Sequence, residues 1–409
     1  MPTASYTLVV VLSVLLGGCA SRAACPAGAL ATPSRTPRFV VVRTDYSSSA
    51  LALLDEDDQV IDDDWVDSGT RVSSLVTSLS GDVVLPSTPL GGVAWINRFA
   101  VDVLTIAGFD GRIEAQIDLL GEIDGTRDGY TSNPHDALRL ADGRLLVSRH
   151  NPNPNAAASA LAGGNDVVVV EGDVVTARIE LHSDVGPVLG RPDVLLPLAA
   201  GSRRAVLVTL VRLDARYERA APGAVLTLDE ALVPSPLVTF GALQNCGAAS
   251  VDPGDPSRVY VLCTGFAFLT EAERRGHAGI VELTLSTAGT LEITGMATPD
   301  ETAPVPTNGL IALGGRRVLA VAYGSRLPAA PDRLVEIDVG AGTTREVLRT
   351  RAAAFALGEG TLDLRNGVAL VPDAETSGIL RIETTTATLR DTIPITGCLG
   401  IPPREIAPL

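Results

Sequence analysis

The sequence predicts an all-β protein, a seven-bladed β-propeller of four-stranded antiparallel blades. Three observations carry that expectation. A unit of about fifty residues recurs seven times, each copy alternates or runs apolar over strand lengths, and its runs end at Gly, Asp, Asn or Thr turns. No long amphipathic helical pattern competes with them, and the 40 glycines and 27 prolines punctuate short segments. Radial packing of such units protects sheet edges that a single hairpin pair would leave open.

Taken in order, the leading strands of the copies are PRFVVVRTD from Pro37, GGVAWINR from Gly91, GRLLVSRH from Gly143, RAVLVTLVR from Arg204, SRVYVLCTG from Ser257, RRVLAVAYG from Arg316 and RNGVALVPD from Arg365. A hairpin follows each, from SALALLDEDDQVI at Ser49 to GILRIETTTATLRDTI at Gly378. An inner strand precedes the leading strand in most copies. Residues 133 to 140, 191 to 198 and 306 to 313 share a Pro, a polar pair and a Leu-rich end. Blade one has only the linker ACPAGALATPSRTP before Arg38, whereas Pro403 to Leu409 fits the inner-strand pattern, so the C-terminal strand is expected to pair into blade one and close the ring.

Five cysteines are present. A turn at VDPGDPS that sets Val251 opposite Arg258 sets Cys246 opposite Cys263, within bridging distance. Cys25 precedes the first strand and Cys398 precedes the closing strand, so a second disulfide would lock the ring. No Cys-x-x-Cys or Cys/His spacing points to zinc or to a thioredoxin-like redox motif.

The apolar run YTLVVVLSVLL (6 to 16) is too short to span a bilayer and leads to Leu16-Gly17-Gly18-Cys19. This resembles a bacterial lipoprotein lipobox, although no Lys or Arg precedes the run. The resemblance implies a signal peptide over 1–18, lipidation of Cys19, a membrane-anchored linker over 19–37 and the propeller over 38–409. It also implies an outer-membrane tether in the cell envelope, facing the periplasm or the surface. All 32 basic residues are Arg, and the net charge of −16 argues against nucleic acid or anionic lipid surfaces as partners.

The repeats, with TDYSSSALALLD (44 to 55) as the nearest piece, resemble the YVTN, NHL and lactonase-like propeller superfamily over essentially the whole mature chain. That resemblance concerns architecture and transfers no catalytic residue.

Inner-strand starts and the loops between second and third strands should share one mouth of the channel. The longest such loops are 150 to 165, 213 to 222, 266 to 278 and 325 to 332. At that mouth Asn133, His135 and Asp136 begin one inner strand, while Arg149 and His150 end its neighbour. Two imidazoles with a carboxylate and a guanidinium suit metal binding, carboxylate recognition or acid-base work. Asp124 and Asp128 form half of an EF-hand-like loop, but His135 stands where the closing Glu belongs, so no cofactor is expected and calcium is the one candidate. The acidic run over 55 to 58 and 62 to 64 reads as a solvated edge that discourages sheet pairing. Trp65 and Trp95 read as plugs between blades, and 4% aromatic content disfavours a stacking platform.

No Gly-x-Ser-x-Gly elbow, His-Glu-x-x-His, P-loop or Rossmann fingerprint occurs. The sequence therefore favours an envelope-anchored binding or interaction scaffold for an envelope protein. The alternative is a propeller enzyme, a metal-assisted hydrolase or lactonase-like protein using His135, Asp136 and His150.

Overall fold

The computed structural model describes residues 28, 30–99, 101–121, 130–155, 160–181, 185–267, 269–326, 329–351 and 354–409. Cys19, Cys25, Asp124 and Asp128 lie outside the described residues. Among the described residues, seven four-stranded antiparallel sheets form the blades of a propeller. Closure is as expected: Phe39–Thr44 of blade one pairs on one side with Ser49–Leu54 and on the other with Pro403–Pro408, the first strand of the chain beside one of its last.

The blades are apolar on both faces, which is why their strands read as continuous hydrophobic runs. Along Phe39–Val42, Phe39 and Val41 pack towards blade seven, while Val40 and Val42 pack towards blade two. The period of two thus sends alternate side chains into alternate blade interfaces, and every buried cluster draws on two neighbouring blades. Trp65 and Trp95 fill the interface between blades one and two, both essentially inaccessible. Trp65 donates its Nε1 hydrogen to the Ala31 carbonyl 2.8 Å away, so the linker is fastened to the first blade.

Cys246 and Cys263 form a disulfide with Cα atoms 4.0 Å apart. One detail of the expected register is corrected: Val251 faces Val259, not Arg258, because an irregularity between Cys246 and Ala249 shifts the pairing by one residue. Cys398 also takes part in a disulfide. Nearby, the buried guanidinium of Arg43 donates to Asp64 Oδ1 at 2.6 Å and to the carbonyls of Asp63, Gly397 and Ile401, holding the approach to the closing strand. The acidic run is not the solvated edge that composition suggested. Asp55 and Asp58 are buried, Asp55 binds Arg35 at 2.6 Å, and Asp58 and Glu56 face Arg381 and Arg365 of blade seven. A turn between outer strands lies against its neighbour in a ring, so its charges meet opposite charges there.

The long loops at 150–165, 213–222, 266–278 and 325–332 all join second to third strands. One carries the short helix Glu271–Arg275, whose Thr270 and Glu273 form a capping box, and another carries a two-residue hairpin. Among the described residues, no helix is long and apolar enough to cross a membrane.

Candidate functional site

The chain turns into its inner strands the same way in three consecutive blades. Asn133, Arg191 and Asn245 have φ of 48°, 52° and 55°, a left-handed kink that directs the backbone into the channel wall. Buried Asp102 of blade two fixes the first kink, accepting from Ser132 Oγ at 2.8 Å and the Asn133 amide at 2.9 Å. Asn165 fixes the second by accepting from the Arg191 amide at 2.6 Å. Pro134 and Pro192 follow, so His135 and Asp193 occupy equivalent places in adjacent blades.

They meet across the blade interface. His135 Nδ1 lies 2.6 Å from Asp193 Oδ1, and His135 Nε2 lies 3.0 Å from the side-chain nitrogen of Asn133. A ring that donates from Nδ1 to the carboxylate keeps the Nε2 lone pair for the Asn133 amide. Burial works against charge on Asp193, but the contact with His135 and the charge of Arg98 outweigh it and hold its pKa below the ordinary carboxylate value. His150 stacks behind His135 with ring centroids 4.3 Å apart and planes within 7°, and Tyr217 continues the stack at 6.4 Å. Burial, with neighbouring His135 and the charge of Arg191 adding to it, pushes the His150 pKa well down, so this imidazole is neutral, and among the described residues its buried Nδ1 has no hydrogen-bond partner.

Of the residues singled out in the sequence, the structure thus brings Asn133, His135 and His150 together. It gives the other two different surroundings. Arg149 is fully buried, with its donors on both Asp166 oxygens and on the carbonyls of Leu119, Leu120 and Leu161. Asp136 accepts from the Ser87 and Ala137 amides through Oδ1 and from the Leu195 amide through Oδ2, tying blades two, three and four together. Asp193 was missed because it sits 58 residues from its partner. Aligning Asn133-Pro134-His135 on Arg191-Pro192-Asp193 would have exposed it.

Further round the ring, the mouth opens into a cavity of about 590 Å³ lined by Asp45, Tyr46, Asp82, Arg98, Tyr323, Phe355, Glu359, Arg404 and Glu405, among others. Glu359 and Glu405 also line an inner channel cavity of about 360 Å³, so they form the waist between the two. The waist is set by backbone pairing: Glu359 bridges in parallel to Glu405, with its amide 2.8 Å from the Arg404 carbonyl. The Glu405 carboxylate accepts from the Leu85 amide at 3.0 Å. Burial and the neighbouring carboxylates raise the pKa of both, with Arg98 opposing, while channel solvent reaching Glu359 tempers its rise. Arg98 is held by Asp82 through Nε at 3.1 Å and Nη2 at 2.6 Å, and its charge acts on Glu359, Glu405 and Asp193 alike. Dyad, waist and Arg98 share one electrostatic environment.

Comparison with solved structures identifies the architecture around this site. The chain is similar to a periplasmic gluconolactonase from Pseudomonas aeruginosa, at 14% identity and TM-score 0.55, over 91% of this chain and 99% of that one. A 6-phosphogluconolactonase candidate from Bacteroides uniformis aligns at 11% identity and TM-score 0.56, over 92% and 100%. Kuenenia stuttgartiensis hydrazine synthase aligns at 12% identity and TM-score 0.53, over 90% and 99%. The chain shares its fold with these structures. That agrees with the resemblance seen in the sequence, and at such identities the likeness is one of fold alone. No family model matches the chain, and no curated protein does.

Three aromatic side chains that the low aromatic content did not foreshadow gather at this mouth. Tyr46 is 69% and Phe355 46% exposed, and Phe355 packs against Tyr323 at 4.9 Å. Asn308 donates to the Tyr323 hydroxyl at 2.6 Å. Among the described residues, no three His, Cys, Asp or Glu side chains are grouped to hold a metal ion.

Proposed function

We propose that this protein is a lactonase-type hydrolase that opens a small cyclic ester at the mouth of its channel. The observation that carries the reading is the His135–Asp193 pair, 2.6 Å apart, with the charge of Arg98 acting on Asp193. In the proposed step, a water molecule replaces Asn133 at Nε2 of His135 and gives that nitrogen a proton as its oxygen attacks the ester carbonyl carbon. Asp193 steadies the imidazolium through Nδ1–H, and Arg98 supplies positive charge to the tetrahedral oxyanion. Collapse breaks the bond between carbonyl carbon and ring oxygen. The ring oxygen takes the proton back from Nε2, the product is the open hydroxy acid, and its carboxyl proton passes to solvent.

Two further observations support this over a protein-binding scaffold. The mouth cavity has the dimensions of a small-molecule site, and it brings together a few polar groups with aromatic walls. The periplasmic gluconolactonase of Pseudomonas aeruginosa, a propeller of similar fold, points the same way. We place the enzyme in the periplasmic space, tethered through lipidated Cys19; replacing Cys19 with Ser is expected to move it from the membrane to the soluble fraction.

The deciding experiment is hydrolysis of a panel of sugar and aliphatic lactones by the purified protein, followed at constant pH. Asp193→Asn and His135→Gln are expected to lower kcat about 10²–10⁴-fold with the fold intact by circular dichroism. Full activity in both variants, or no hydrolysis of any lactone, overturns the reading and returns the binding scaffold to first place.

A further inference from the structure

Charge around the mouth distinguishes two kinds of substrate that the hydrolase reading alone leaves together. Four carboxylates line the cavity, Asp45, Asp82, Glu359 and Glu405, against two guanidinium groups, Arg98 and Arg404. Neither cation is idle. Arg98 is bound to Asp82, and Arg404 donates to the Phe355 carbonyl. Asp45 is also occupied, accepting from the Ser47 and Ser48 amides at 2.9 and 2.8 Å. That leaves Glu359, and the Glu405 carboxyl oxygen that the Leu85 amide does not engage, held side by side by backbone pairing at the waist, as the groups that an incoming molecule meets.

From this arrangement we infer that the mouth selects an uncharged polyhydroxylated ring and rejects its phosphorylated counterpart, with Glu359 and Glu405 as the specificity-determining residues. The inference rests on the hydrolase reading for the chemistry, but not for the selectivity.

Carboxyl oxygens accept hydrogen bonds from sugar hydroxyls, which are donors in need of partners once they leave water. A phosphate dianion has no hydrogens to offer and would meet a pocket in which, even with one proton shared by Glu359 and Glu405, three carboxylates face two guanidinium groups. Repulsion inside a partly enclosed cavity is stronger than at an open surface and is only partly screened by salt. The aromatic faces of Tyr46 and Phe355, both exposed at the rim, suit the apolar face of a sugar ring better than an ionised tail. Positive charge lies instead beyond the Tyr323–Phe355 wall, where Arg274 and Arg333 line a separate cavity of about 540 Å³.

Two measurements on the full chain test this. The first is calorimetric binding of 1,5-anhydroglucitol and its 6-phosphate, neither of which can be hydrolysed as an ester ring. The second is kcat/KM for glucono-1,5-lactone and its 6-phosphate. In both, the uncharged compound is expected to be favoured at least about tenfold at low ionic strength, with the gap shrinking as salt rises. Glu359→Gln combined with Glu405→Gln should bring the gap to about threefold or less without unfolding the ring. Equal or tighter binding of the phosphorylated ring overturns the inference, and loss of that binding in Arg274→Gln/Arg333→Gln would assign the anion to the neighbouring cavity. If both lactones are inert while the uncharged ring still binds preferentially, the hydrolase reading falls and the selectivity stands. If both lactones are hydrolysed equally well, the reverse holds.

Discussion

Nδ1 of His135 and Oδ1 of Asp193 lie 2.6 Å apart, although 58 residues separate them in the chain. Gly247 of the next blade makes room for this contact, since a Cβ atom there would run into the Asp193 carboxylate. Three consecutive blades therefore meet at one hydrogen bond. Gly247→Ala should push Asp193 off His135 and lower kcat about 10²-fold, the scale of effect that small misplacements produce. Because Gly247 is adjacent to the Cys246 bridge, the folded state should survive with a modest loss of Tm. Unchanged turnover would mean that the dyad is not the reactive pair.

A second prediction concerns Asp136. Burial pushes its carboxyl up to about 7, against the downward pull of the Leu195, Ser87 and Ala137 amides. With the folded value above the ordinary 3.8, the folded chain holds the proton more tightly than the unfolded chain does. The contribution to stability is therefore complete below about pH 4 and is lost as pH rises through about 7. Asp136→Asn cannot accept on both sides and should lose about 1–3 kcal/mol at pH 5. Its deficit relative to the native protein should shrink by pH 8 in urea titrations. A deficit that grows with pH would show that the carboxylate is ionised and held by its amides.

The third prediction addresses closure. Arg43→Met leaves Asp64 without its cation and three carbonyls without a donor, in a region that is closed to solvent around the guanidinium. Removing one member of a buried pair costs about 3–5 kcal/mol. Hydrogen exchange should accelerate first in Pro403–Pro408 and its partner Phe39–Thr44, ahead of the other blades. Uniform acceleration around the ring would locate the weak point elsewhere.

How far the sequence could be read depended on whether a feature repeats. The blades were legible because each buries both faces, which leaves apolar runs such as those of Val41 and Leu51 with little room for polar interruption. Cys246 and Cys263 were legible because a hairpin register relates residues on either side of a turn, even though a bulge shifted Val251 by one. Asp193 was not, since its role depends on which blades are neighbours and how their inner strands are aligned. The partners of Arg149 and Asp136 were hidden for the same reason: charge near a predicted mouth does not say which backbone and side-chain groups it meets. The grouping of Tyr46, Tyr323 and Phe355 was equally hidden, because composition counts aromatic residues but does not say where they gather.

Glu405 belongs to the strand Pro403–Pro408, which follows all seven leading strands in the chain and yet is the innermost strand of the first blade. The pocket wall it shares with Glu359 therefore does not exist in any partly synthesised chain, however many blades have already formed. Ligand recognition at the waist and completion of the ring become a single event, so a chain shortened before Pro403 should be blind to its ligand as well as incompletely folded.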